Sequence, residues 1–247
     1  MNNTFLWPVA FLLIITINPV YAALPDTLLV TDLSRDAVNE LPKGWEQILP
    51  PKQHSLTSYT VEYTGTGPYI HTVSNSTGSW IEKKLNDLDV KTYPIMEWEW
   101  MVNSFPQVEW ERDRKNDDFA IRVELVFDYK GGKNPLNMIK KGLITSLFRH
   151  YPPELVISYV WSEHVPVEEG YASPTTDRMI VIPIESDATT VRRWMHEKRD
   201  IRVDLKKYKP EENLVLKKIR IRTDTENSGT TADSGVRNIR LISENRR

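Results

Sequence analysis

In the run Met96-Glu97-Trp98-Glu99-Trp100-Met101-Val102 every even position is apolar, and positions 97 and 99 are acidic. A β-strand sends successive side chains to opposite faces, so this pattern fits a strand with one buried and one polar side. Phe119, Ile121, Val123, Leu125 and Phe127 repeat it, leaving Arg122 and Glu124 on the other side. Ile219 and Ile221 oppose Lys218, Arg220 and Arg222, and Arg199–Leu205 alternates Ile201, Val203 and Leu205 with Asp200, Arg202 and Asp204. Ser58–Tyr63, Tyr69–Val73, Ile157–Trp161 and Arg178–Ile182 are further short runs. Turn signals separate them, among them Gly65-Thr66-Gly67-Pro68, Asn116-Asp117-Asp118 and Gly131-Gly132. Many strands at such spacing predict an all-β fold, a jelly-roll β-sandwich of two antiparallel sheets, rather than βαβ units.

Two stretches interrupt the pattern. Leu136, Ile139, Leu143, Leu147 and Tyr151 recur at helical spacing before Pro152-Pro153, predicting one inserted amphipathic helix over 134–151 that covers an edge or end of the sandwich. Ser186 to Lys198 reads as a short helix or loop.

The N-terminus carries an apolar run from Phe5 to Ile17, then Val20 and Ala22 at the spacing a signal peptidase uses. Residues 1–22 are therefore expected to be a signal peptide and 23–247 one β-sandwich domain. The run falls short of the about 20 residues that span a bilayer; with no Lys or Arg before it, an uncleaved anchor is the alternative. The expected location is periplasmic or secreted, with no membrane partner after cleavage. The chain has no cysteine, so its core must hold without disulfides. Its 32 basic and 34 acidic side chains are interspersed, which argues against nucleic acid as a partner.

The alternation makes Trp98 and Trp100 core residues. It also places Glu97, Glu99, Glu124, Asp200 and Asp204 with Arg122, Arg202, Arg220 and Arg222 on polar faces. One reading is cross-strand ion pairing on a solvated surface, about 0.2–1 kcal/mol per pair. The other is a concave cleft bearing Glu97, Glu99, Arg122 and Glu124, with a rim of Asp117, Asp118, Asp224 and Asn227, that hydrogen-bonds a hydroxyl-rich ligand. Glu97 and Glu99 stand roughly 6–7 Å apart on one strand face, within the span of glycosidase carboxylate pairs, yet nothing marks either as a proton donor. Asp117 and Asp118, or Asp224, Glu226 and Asn227, offer oxygens to calcium but match no complete calcium loop. The five histidines show no zinc-ligand spacing. Ser162-Glu163-His164 lacks the strained turn of a nucleophile elbow. Trp161 and Trp194 are candidates to stack on a sugar ring, with core packing as the alternative.

Several blocks occur in a familiar order: Trp98-Glu99-Trp100, Asn116 to Val123, Ile157 to Ser162, Trp194 with Glu197 to Ile201, and Thr223 to Gly229. From about Leu28 to Leu241 the chain resembles the bacterial secreted family known as domain of unknown function 3047. The resemblance implies a jelly roll related to galactose-binding-like and other carbohydrate-binding domains, of unestablished activity. It implies recurrent polar positions at Asp117, Asp118, Arg122, Arg199, Asp204, Asp224 and Asn227. Glu226 and Asn238 stand where the family often has Asp, and related sugar-binding jelly rolls often hold a structural calcium near the last strand. The expectation is thus a non-catalytic binding protein for a polysaccharide, cell-envelope glycan or other polar small ligand, with no cofactor beyond a possible structural calcium. The alternatives are a polysaccharide hydrolase or lyase using paired carboxylates, and an envelope assembly factor that docks a protein through the helix near Leu143. Oligomeric state stays open.

Overall fold

The computed structural model describes residues 25–51, 53–130, 153–167, 170–186, 188–209 and 213–244. The expected signal peptide and the expected helix over 134–151 lie outside them. Within them run β1 (Thr27–Leu29), β2 (Glu46–Ile48), β3 (Ser58–Thr64), β4 (Gly67–Asn75), β5 (Trp80–Leu88), β6 (Ile95–Ser104) and β7 (Arg122–Tyr129). They continue with β8 (Leu155–Ser162), β9 (Tyr171–Ala172), β10 (Met179–Ser186), β11 (Met195–Asp200), β12 (Leu214–Arg222) and β13 (Thr231–Ile242).

The strands form two facing sheets, the all-β jelly-roll sandwich that the alternation predicts. Sheet A has the order β11-β6-β13-β4-β3, with β1 also paired to β13, and sheet B the order β2-β5-β12-β7-β8-β10-β9. One pairing departs from the expected antiparallel pattern: β8 and β10 run parallel. A parallel pair needs a long crossover, and residues 163–178 supply it.

The inner faces meet in one core. Met96, Trp98, Trp100 and Val102 of β6 pack with Val123, Leu125 and Phe127 of β7, Ile157, Tyr159 and Trp161 of β8, and Ile219 and Ile221 of β12. Trp98 stacks on Tyr159 at 5.4 Å and meets Trp100 edge-on at 5.3 Å, while Trp100 tilts against Trp161 at 5.9 Å. These rings bridge the two sheets, each burial contributing about 1.5–3 kcal/mol. Trp161 is therefore core and unavailable to a sugar.

At one end the interior turns polar and remains satisfied. The Thr72 hydroxyl lies 2.6 Å from those of Thr223 and Ser234, and the Ser74 hydroxyl 2.8 Å from those of Thr77 and Thr225. Ser234 donates to the Ala120 carbonyl at 2.7 Å. Because Thr223 and Thr225 are anchored inward, Asp224 between them turns out toward Arg122 of β7.

The run Arg199–Leu205 is not a strand throughout. β11 ends at Asp200, and the helix α1 (Ile201–Tyr208) begins at once. Asp200 caps it, its carboxylate accepting from the Arg202 amide at 3.0 Å, a contact worth about 1 kcal/mol. Ile201, Leu205 and Tyr208 share a helical stripe against the core, while Val203 is 60% exposed. The segment Ser186–Lys198 holds a 3-10 turn at Ala188–Thr190 and most of β11.

Candidate functional site

The predicted site residues divide among separate places. Glu97 and Glu99 lie on β6 in sheet A, Arg122 and Glu124 on β7 in sheet B. Each pair does face away from the core, so the two pairs point to opposite outsides of the sandwich and the expected common cleft does not form. Alternation assigns residues to a face of their own sheet; it carries no information about which sheet.

On the outer face of sheet A, β6 runs between β11 and β13. Glu97 stands opposite Lys198 and Arg240, and Glu99 opposite His196 and Arg237. Arg240 donates to Glu97 at 3.0 and 2.6 Å, and Lys198 lies 3.1 Å from it. Arg237 donates to Glu99 at 2.9 and 2.7 Å, and Asn238 at 2.8 Å. Burial alone would raise both carboxyl pKa values. For Glu97 the hydrogen bonds and charges of Arg240 and Lys198 outweigh it, and for Glu99 those of Asn238 and Arg237, so both lie below the usual range. Both stay ionised near neutrality, so neither serves as the protonated partner that a glycosidase pair requires.

Beside these ion pairs lies an aromatic group. Trp194, half-buried, meets Tyr69 edge-on at 5.5 Å, and the Arg237 guanidinium sits 4.1 Å from its ring centre. Gly235 of β13 makes the room: a Cβ there would come 2.8 Å from the Tyr69 ring and 3.3 Å from Trp194. Next to them His71 is bracketed by Glu62 at 2.7 Å and Asp233 at 2.9 Å. Tyr69 donates to Glu62 and Asn103 to Asp233, each at 2.8 Å. Sequence reasoning left out Tyr69, His71, Asp233 and Arg237. The available signal was Gly235, since a glycine inside a strand often marks a close approach.

The predicted rim does assemble, at the end of sheet B. Arg122 donates to both Asp224 oxygens, from Nε at 2.9 Å and Nη2 at 2.6 Å, and from Nη2 to the Asp117 carbonyl at 2.7 Å and carboxylate at 3.1 Å. Asp118 accepts from the Asn227 amide at 3.1 Å, its side-chain Nδ2 at 2.9 Å and the Ser228 amide at 2.6 Å. Arg222 Nη2 bridges Asp224 at 3.1 Å and Glu226 at 2.5 Å. Burial and the Asp224 charge raise the Asp118 pKa against those hydrogen bonds. Burial, opposed by Arg222 and reinforced by Asp224, pushes Glu226 up to about 7.

Asp118, Asp224 and Glu226 place one oxygen each within 4.8 Å of one another, the shape of a cation site. The Asp118 and Asp224 oxygens already accept from N–H donors, Arg122 and Arg222 supply positive charge, and Glu226 Oε2 is buried with no hydrogen-bond partner among the described residues.

Arg122 and Glu124, expected toward solvent, are 0% and 2% exposed. The outer face of sheet B is itself covered here: Phe119, Val160 and Val181 form a second buried cluster with Tyr171 and Met179. Acid and base do alternate across the strands, Glu82 of β5 facing Arg220 of β12 and Arg220 facing Glu124 of β7. In this covered region Arg122 Nη1, Glu124 Oε1, Ser158 Oγ, Tyr171 OH and Arg222 Nε are buried and find no hydrogen-bond partner among the described residues. A buried polar group left bare costs about 1–3 kcal/mol, so five together would cost about as much as a domain's whole net stability of roughly 5–15 kcal/mol. Groups beyond the described residues, ordered water among them, would answer them.

Arg199 and Asp204 form a third, separate pair where β11 meets α1. Arg199 Nη2 lies 2.7 Å from Asp204, which also accepts from the buried Tyr159 hydroxyl at 2.7 Å. That arrangement ties α1 to the core.

Several solved structures share the sandwich shape. A family 11 carbohydrate-binding module from Clostridium thermocellum, in complex with a β-1,3-1,4-mixed-linked tetrasaccharide, is 11% identical, with 88% of this chain and 95% of that one covered and a TM-score of 0.44. A family 30 carbohydrate-binding module from a Clostridium thermocellum cellulosomal cellulase is 9% identical, covering 89% and 98%, with a TM-score of 0.44. Endoglucanase 3 of family GH12 from Trichoderma harzianum is 9% identical, covering 90% and 96%, with a TM-score of 0.45. These likenesses concern shape, and no residue's role passes from them to this chain. Among curated proteins none matches the sequence. A family model does: over residues 43–240 the chain matches, and belongs to, the family described as Protein of unknown function (DUF3047).

Proposed function

We propose that this protein binds a polysaccharide or cell-envelope glycan without altering it, along the outer face of sheet A, in the periplasm or outside the cell. The observation that carries this reading is Trp194, half-buried among Tyr69, His71 and the paired side chains of Glu99, Arg237 and Asp233. An aromatic ring offers a sugar an apolar surface. The surrounding carboxylates and guanidinium, fixed by one another, present hydrogen-bonding groups that lose little entropy on binding. Glu97 and Glu99, both held ionised, suit accepting hydroxyl protons better than donating one.

A glycan array followed by titration of tryptophan fluorescence tests the proposal. Trp194→Ala should weaken the best glycan at least about 30-fold, as for a tryptophan worth about 2 kcal/mol in an interface. Unchanged affinity in that variant, or release of reducing ends or unsaturated products by the wild type, would overturn it.

A further inference from the structure

At one place the outer face of sheet A is interrupted. β4 pairs with β13 only as far as Ile70 and Val236, and β1 takes over from Leu29 and Arg240. Between these points β13 bulges: its register against β6 shifts between Arg237 and Arg240, and Asn238 adopts a positive φ of 55°. The chain leaving β1 is pinned over the bulge, where Thr31 Oγ accepts from the Ile239 amide at 2.7 Å. Leu29 alternates with core-packed Leu28 and so points outward, on the side of Arg240. A cavity of about 210 Å³ opens in this gap, lined by Leu29, Leu33, Pro68, Asp32, Asn238 and Arg240.

The cavity adjoins the side chains already described on that face. Asn238 donates to Glu99 and Arg240 to Glu97, and Glu99 also holds Arg237, which lies against Trp194. Its walls are mixed. Leu29, Leu33 and Pro68 are apolar. Arg240 gives Nε and Nη2 to Glu97, which leaves Nη1 without a partner among the described residues. Asn238 Oδ1 and Asp32 Oδ2 are left as acceptors, since Asn238 bonds through Nδ2 and Asp32 accepts from Ser34 at Oδ1. The Ser34 hydrogen bonds hold the Asp32 carboxyl below the usual range, so it is ionised near neutrality. Glu97 already matches Arg240, and no second cation lines the cavity. An entering carboxylate would therefore meet Asp32 uncompensated. Neutral hydroxyls suit all three groups, because each can donate and accept.

We infer that the cavity receives one neutral sugar unit, the terminal unit of a glycan whose remainder lies along the face toward Trp194. This rests on the glycan reading of that face. The cavity is smaller than the roughly 300–1,000 Å³ of sites for drug-sized molecules, which limits it to a single ring. The ring's apolar side meets Leu29, Leu33 and Pro68, while its hydroxyls donate to Asp32 and Asn238 and accept from Arg240.

Amide NMR titrations with the methyl glycosides of glucose, galactose, mannose and glucuronic acid test the assignment. At least one neutral glycoside should shift the Asp32, Leu33 and Asn238 signals saturably, and the glucuronide should not. Ser34→Trp, which sets an indole among the lining residues, should abolish those shifts and weaken the best array glycan about tenfold. Asp32→Asn should admit the glucuronide; should Ser34→Trp fail to fold, this isosteric variant decides alone. Trp194→Ala should keep the shifts. The assignment fails if no neutral glycoside acts, if the glucuronide acts as strongly on the wild type, if the shifts survive Ser34→Trp, or if Asp32→Asn still excludes the glucuronide. None of these outcomes alters what Trp194→Ala does to the array glycan, so the cavity and the face fail separately.

Discussion

The two outer faces of the sandwich draw on the same residue types and treat them oppositely. On sheet A, Glu97 and Glu99 meet Arg240 and Arg237 at a partly open surface. On sheet B, Asp224 and Asp117 meet Arg122 with no solvent reaching the guanidinium. Near water such a pair gains little, because each charge trades one set of hydrogen bonds for another. Away from water, removing one partner strands the other. The open face is built so that its groups stay available, and the covered face so that its groups cannot move.

The largest test of this contrast is Arg122→Met against Arg240→Met. Taking the buried guanidinium from Asp117 and Asp224, and leaving Asp224 only Arg222 as a charged partner, should cost about 3–5 kcal/mol, lowering Tm by roughly 6–20 °C for a domain of this size. The exposed pair should cost less than about 1 kcal/mol. Equal losses in thermal melts would erase the distinction.

A smaller effect separates two glycines. Gly235→Ala drives a Cβ to 2.8 Å from the Tyr69 ring, and Gly78→Ala one to 2.3 Å from the Glu226 carboxylate. Each should cost about 1–3 kcal/mol in denaturant titrations. Glu226→Asp, one methylene shorter, should repair much of the Gly78→Ala loss, while Gly235→Ala should also reduce glycan affinity.

pH sharpens the comparison further. Glu226 rises from 4.5 to about 7 in the folded protein, so its stabilising contribution is complete below 4.5 and lost as pH climbs through 7. Glu97 and Glu99 are lowered, so theirs is present above 4.5 and lost as pH falls through their folded values. Glu226→Gln should flatten the decline in Tm between pH 5 and 8 and leave the acid limb unchanged. The smallest expected effect is calcium's: with arginines among the rim carboxylates, neither calcium nor EDTA should shift Tm.

Much of this was legible in the chain. The even positions of β6 and the odd positions of β7 are core as the alternation requires, and the rim at Asp117, Asp118, Asp224 and Asn227 closes as predicted. Three things were hidden for physical reasons. Period two relates neighbours on one strand, so Glu97 and Arg122 looked like companions although the whole core lies between them. Ile201, Val203 and Leu205 alternate like a strand while Ile201, Leu205 and Tyr208 fit a helix, and the Asp200 cap decided between them. Trp194 reaches Gly235 from outside any strand, a contact no periodicity encodes.

β13 occupies the middle of sheet A, touching β6, β4 and β1. Until residues 231–242 are made, those three strands have no common neighbour. Sheet A is thus completed only by β13, which serves as its keystone. A chain cut short before Thr231 would leave the edges of β6, β4 and β1 without the strand that joins them, open to aggregation and to proteases.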